Sequence, residues 1–234
     1  MNVVVHSRLI ALGRFRDAAA RIYRTLRQFI GNEATLVVPT YTFNTSVDIP
    51  YDPLTIPSTN VGVFSEYVRQ LPGAVRSLSP IHNHTAVGPL AGLMREASPT
   101  ISLGPGSDFE ILRNHGFYLL LLGCRFNKGC TYLHHMEAML EVPYRRWIEL
   151  DRVLVHPDTQ QKRLLKVRYF ARGDEPLTTN FDAVEAPLRQ RGVLNSDNLP
   201  FGTSYLVSLP ELDLCARQIL AQDPYGLVKG SDSR

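Results

Sequence analysis

Apolar residues in this chain come in short blocks divided by polar, Gly- and Pro-rich stretches, which predicts strands and helices in alternation. Val3-Val4-Val5 reads as a strand, with Ser7 placed to cap the next element. Over 14–30, Phe15, Ala18, Ala19, Ile22, Leu26, Phe29 and Ile30 recur at a helical period beneath an arginine-rich, solvated face. Gly31-Asn32 closes that helix, and Thr35-Leu36-Val37-Val38-Pro39 is a second buried strand. Residues 44–62 are rich in Pro, Thr, Ser, Asp and Asn and predict a long loop, a kind that is usually functional inside a domain. A short helix over 64–71 ends at Pro72-Gly73, and 76–86 reads as a polar, histidine-bearing loop. Helix over 89–97, a Gly/Pro/Ser loop over 98–108 and helix over 109–115 lead to a buried strand at 117–122, which ends at Gly123.

After Glu141 the character changes. Residues 145–155 and 164–170 predict antiparallel strands joined by a polar turn at His156-Pro157-Asp158. Residues 172–203 mix loop and helix, 205–207 is a short strand, 209–222 an amphipathic helix, and a polar tail starts at Lys229. The chain has 234 residues, 44% hydrophobic and 20% charged, the composition of a globular protein with a sizeable core. A net charge of +3 is too small to argue for nucleic acid, but leaves room for a local basic pocket. No run approaches 18 apolar residues, so no membrane span is expected. Three cysteines (Cys124, Cys130, Cys215) without framework spacing fit a reduced, cytoplasmic setting.

The densest candidate chemistry lies in Cys130-Thr131-Tyr132-Leu133-His134-His135-Met136-Glu137. If this opens a helix, Thr131, His134 and Glu137 share one face as hydroxyl donor, base and base-orienter. A carboxylate beside an imidazole fixes its tautomer and stabilises its charged form. The trio would lie just past a strand's C-terminal end, a usual place for α/β sites. A His–Glu pair at helical spacing is also a common surface ion pair. Two further readings stay open: an acyl-Cys mechanism through Cys124 or Cys130, and a metal site using His134, His135 and Glu137. The second is awkward, since adjacent histidines face different sides of a helix.

Several segments, in order, resemble the aminoglycoside 3-N-acetyltransferase (antibiotic N-acetyltransferase) family. Val5-His6-Ser7-x-Leu9 with Leu12-Gly13 is similar to its opening VHSSLxxLG, and 35–42 to GTLVMPTFT. Tyr51-Asp52-Pro53 with Pro57-Ser58, Gly62 and Glu66 matches another segment; 72–82, through Pro72-Gly73-Ala74-Val75-Arg76-Ser77-Leu78, matches PGAVRSLHPTHS. Leu120-Leu121-Leu122-Gly123 and Thr131-x-x-His134-x-x-Glu137 resemble LLLG and TSLHxAE.

The resemblance implies an α/β fold with a mixed central sheet and flanking helices, not of the GNAT type. It implies one acyltransferase domain over 1–234, with room for a smaller C-terminal lobe from residue 142. Its activity would be transfer of acetyl from acetyl-CoA, as co-substrate, to a primary amine of an aminoglycoside or related amino sugar, without a metal. His134 would be general base, Glu137 its orienter and Thr131 the group polarising the thioester carbonyl. His6, Ser7, Arg8, Leu9, Arg76 and Ser77 are nominated along CoA, and Asp52 and His82 toward the acceptor. Helix capping by Ser7, a surface ion pair at Arg76, a plain Asp52-Pro53 turn and a structural His82 stand as alternatives. Arg8 replaces a family serine and Ser79 the His of LHP, both in presumed ligand loops. The partner expected is a small-molecule amine rather than nucleic acid or membrane, and a homo-oligomer is left open. Alternatives are an N-acyltransferase for a polysaccharide or natural-product sugar, and a catalytically silent CoA-binding module.

Overall fold

The structure, a computed structural model, describes residues 1–230. In chain order the elements are β1 Val3–Ser7, α1 Ala18–Ile30, β2 Leu36–Pro39, α2 Val63–Arg69, β3 Val75–Arg76, β4 His84–Val87, α3 Asp108–Asn114, β5 Tyr118–Leu122, α4 Phe126–Gly129 and α5 Tyr132–Met139. The second part of the chain adds β6 Arg145–Val155, β7 Lys162–Arg172, β8 Leu177–Thr179, α6 Glu185–Gln190, β9 Asn195–Leu199, β10 Gly202–Ser208, α7 Leu209–Gln222 and β11 Val228–Gly230. Seven strands form one mixed sheet in the order β3-β4-β2-β1-β5-β10-β9. β2, β1 and β5 run parallel at its centre, and β4 and β10 flank them antiparallel. This is the α/β architecture expected.

Central strands of such a sheet are apolar on both faces because helices cover both. β1 obeys this residue by residue. Val4 joins the cluster beneath α3, α5 and α7, while Val3 and Val5 join Leu36, Val38, Phe64 and Val68 beneath α1 and α2. A third cluster of Tyr51, Ile81, Leu154, Leu165 and Val167 seats the two-stranded β6–β7 ribbon. The ribbon is tied to the long loop where Tyr51 exchanges backbone hydrogen bonds with Val153 and Val155.

Several local expectations are corrected. Ser7 ends β1 rather than capping: the 3-10 turn Leu9–Leu12 has Arg8 before it and no side-chain cap. α1 starts at Ala18, after Asp17 in a left-handed conformation, and Phe29 falls off its half-buried stripe, 84% exposed. Residues 89–97 hold only a 3-10 turn, Ala91–Arg95. The polar 76–86 segment is no solvent loop. It carries β3 and β4 and is buried, because Thr40, Asn83, Thr85 and Thr42 hydrogen-bond one another inside. Lys229 and Gly230 of the expected tail pair with β8, and 231–234 lie outside the described residues.

Candidate active site

In an open α/β sheet the crevice forms past the carboxyl ends of parallel strands, where the strand order turns back. Here β1 is that strand, with β2 on one side and β5 on the other. A cleft of about 670 Å³ lies there, within the range of small-molecule sites. His6, Ser7, Arg8 and Leu9 from the end of β1 line it, as do Tyr41 after β2 and Cys124 after β5. Gly123 makes the turn between β5 and α4 feasible: its φ is +78°, and a Cβ there would stand 2.8 Å from the Arg8 carbonyl oxygen.

Thr131 sits at the start of α5 with helical dihedrals, and its carbonyl accepts the His134 amide at 2.9 Å. The three-residue spacing therefore does bring Thr131, His134 and Glu137 onto one face. Thr131 and His134 line the cleft, while Glu137 lies fully buried behind the imidazole. His134 Nδ1 stands 2.6 Å from Glu137 Oε2, and the ring is 27% exposed. The edge of Phe181 supports it at 4.7 Å between centroids.

Glu137 has two further partners that sequence reasoning missed. Tyr144 donates its hydroxyl to Oε1 at 2.9 Å, and Arg145 Nε forms an ion pair with Oε2 at 2.7 Å without aligned hydrogen-bond geometry. Arg145 Nη2 also stands 2.9 Å from His134 Nδ1. Nδ1 cannot donate to Glu137 and accept from Arg145 at once. The carboxylate contact is shorter, which assigns the Nδ1 hydrogen to Glu137. Tyr144 and Arg145 follow Glu137 by only seven and eight residues, which is the signal that could have nominated them.

His82, at the cleft wall, bonds Ser102 Oγ through Nδ1 at 2.6 Å and packs against Tyr41, Phe43 and Tyr169. Burial pushes its pKa well below the usual histidine value, so the ring is neutral. Burial lowers His6 to about 3, with His84 adding to the effect, so His6 offers polar contact but no charge. The neighbouring His135 faces the other way, accepting the Gly104 amide at 3.1 Å, and burial lowers it to about 3. Cys124 lines the cleft, but burial raises its thiol to about 11, the opposite of an activated nucleophile.

Three nominated ligand residues are corrected. Arg76 is buried away from the cleft, its guanidinium tied to Asn83 Oδ1 at 2.8 Å and the Ile56 carbonyl at 2.6 Å. Ser77 is also sealed, donating to Asp108 at 2.6 Å. Asp52 turns onto its own loop, accepting from the Leu54 amide and Thr55 hydroxyl at 2.9 and 2.8 Å. Missed on the cleft wall were Lys128, Tyr41 and Tyr169, each delivered from a different segment.

A family model described as aminoglycoside 3-N-acetyltransferase matches residues 4–221. Aminoglycoside N(3)-acetyltransferase III of Salmonella sp is 29% identical over 167 residues, which are 64% of this chain and 58% of that protein. The chain thus spans less than two thirds of that relative's length. Among solved structures, AAC-IIIb in a binary complex with CoASH superimposes with a TM-score of 0.79 at 21% identity, covering 100% of this chain and 92% of that one. A variant of aminoglycoside acetyltransferase AAC(3)-IVa in complex with apramycin gives 0.77 at 24% identity, covering 96% and 86%. At these identities the two structures speak for the fold.

Proposed function

The chain belongs to the aminoglycoside 3-N-acetyltransferase family, and from that premise we propose that it transfers the acetyl group of acetyl-CoA to a primary amine of an aminoglycoside or related amino sugar, as one domain. His134 is the general base. With Nδ1–H held by Glu137, Nε2 takes the proton that the amine nitrogen releases as it bonds to the acyl carbon. The Thr131 hydroxyl donates to the carbonyl oxygen while negative charge builds there. The carbon–sulfur bond then breaks, and the proton leaves Nε2 for the thiolate, giving an amide and a free thiol. Arg8 and Lys128 supply positive charge for the CoA phosphates, Leu9 and Val61 apolar wall for the pantetheine arm, and His6 and Ser7 polar contact at the end of β1.

The observation that carries this reading is the 2.6 Å contact between Glu137 and an imidazole on the wall of a cleft at the end of β1. The CoASH and apramycin named with the two similar folds agree with it. The charge of the cleft favours a less cationic acceptor within the same chemistry, such as an amino sugar from polysaccharide or natural-product biosynthesis. Among the described residues, the charged side chains lining the cleft are Arg8 and Lys128, which offer a polycation no counter-charge. The test is calorimetric titration with acetyl-CoA, then a thiol-release assay with apramycin and with glucosamine. Saturable binding with amine-dependent thiol release supports the reading. Binding without turnover of any amine favours the silent module, and absence of binding sinks both.

A further inference from the structure

Burial disfavours the charge on a carboxylate, and Glu137 is fully buried beside a guanidinium that opposes this. Tyr144 offers Oε1 a neutral hydroxyl, which does not alter the charge count. Arg145 does. Its side chain is 7% exposed, and its guanidinium touches both Glu137 Oε2 and His134 Nδ1 while donating to the Phe170 carbonyl at 3.2 Å. We propose that Arg145 is the positioning residue that sets the proton balance of the base: its guanidinium balances the Glu137 carboxylate and, standing beside the imidazole, opposes a second proton on His134, leaving Nε2 open. This rests on the acetyl-transfer reading above.

Neutral imidazole, carboxylate and guanidinium sum to zero at rest, and the amine's proton then leaves one positive charge in the group. Without Arg145 the resting pair would be a buried net negative charge, relieved by taking a proton from solvent. The base would then be occupied before the amine reached it. The groups facing the imidazole are Glu137 from α5, Arg145 from β6 and His82 from the segment before β4, with Phe181 as the apolar neighbour. Since His82 is held neutral, Arg145 is the one of these that supplies fixed positive charge.

The experiment compares Arg145→Met, Arg145→Gln and Arg145→Lys by thiol release with acetyl-CoA and whichever of apramycin or glucosamine the wild type acetylates. At pH 7 the Met and Gln variants lose about a hundredfold in kcat, with an unchanged KM for acetyl-CoA. Their acid limb moves to higher pH, so part of the rate returns at pH 9. Arg145→Lys keeps the charge and stays within about tenfold of wild type. Gln can still donate to the Phe170 carbonyl, so melting curves of Gln and Met separate lost support from lost charge. Unchanged kcat and pH profile in the Met variant overturns the proposal, as does Gln recovering activity as well as Lys. A wild type that binds acetyl-CoA but acetylates neither amine fails the acetyl-transfer reading itself, and the proposal falls with it.

Discussion

Among the described residues two histidine–carboxylate pairs have a buried carboxylate, the third, His156–Asp158, being exposed, and one of the two buried pairs opens onto the cleft. His134 and Glu137 meet at 2.6 Å, His84 and Asp108 at 3.0 Å, each through Nδ1, and both carboxylates are fully buried. The rings differ. His134 stands at the cleft with Nε2 open to a substrate, whereas the His84 ring is sealed and its Nε2 has no partner among the described residues. The carboxylates differ too. Glu137 is balanced by Arg145, while Asp108 is held by the Ser77 hydroxyl, the His84 amide and the amino end of α3. A dyad is therefore no site by itself; access and counter-charge decide what it can do.

The largest expected effect comes from a double-mutant cycle on the open pair. His134→Ala lowers kcat on the order of a thousandfold, and adding Glu137→Gln costs little more, because the carboxylate acts through the ring. Independent, additive losses in thiol-release rates would break the proposed coupling. On the sealed pair, Asp108→Ala should reverse the pattern. Stability falls by about 3 kcal/mol in urea titration, while kcat per folded molecule stays near wild type. A loss of rate as large as that of His134→Ala would erase the distinction between the two pairs.

The buried neutral rings predict a pH effect on stability. His6 and His135 are lowered to about 3 and His82 well below its usual value, so below about pH 6.5 the unfolded chain binds protons that the native rings refuse. Each ring then costs up to about 1.4 kcal/mol of stability per pH unit as the pH falls toward 3. Melting temperature should drop between pH 7 and pH 5; a flat profile would mean that these rings take up protons in the folded state. The smallest effect is expected from replacing Cys124 and Cys130 together by Ala, which should leave kcat within about threefold. Loss of activity there would bring back an acyl-Cys intermediate.

How much of this is legible in the sequence depends on how local the signal is. β1, β2, β5 and α7 carry their own periodicity, and the β6–β7 ribbon shows itself as two strands around a polar turn. β9 does not, since Asn195 to Asn198 are polar and exposed and the strand exists through pairing with β10. β3 and β4 read as loop because interior hydrogen bonding makes polar residues fit for burial, which composition alone cannot reveal. Thr131, His134 and Glu137 can be found because one helix face carries them. Tyr41, His82 and Tyr169, which line the same cleft, are brought together by tertiary packing from separate segments. Arg76 misleads in the other direction: an arginine beside a serine in a family motif suggests an anion, yet its guanidinium ties loops together inside the protein.

The most direct test of His134 as the base measures acetyl-CoA affinity and thiol release on the same His134→Ala protein. Acetyl-CoA binding should stay close to wild type while amine-dependent turnover falls on the order of a thousandfold, with only a mild loss for His135→Ala. Turnover by His134→Ala at the wild-type rate, or equal losses at both histidines, would contradict that role.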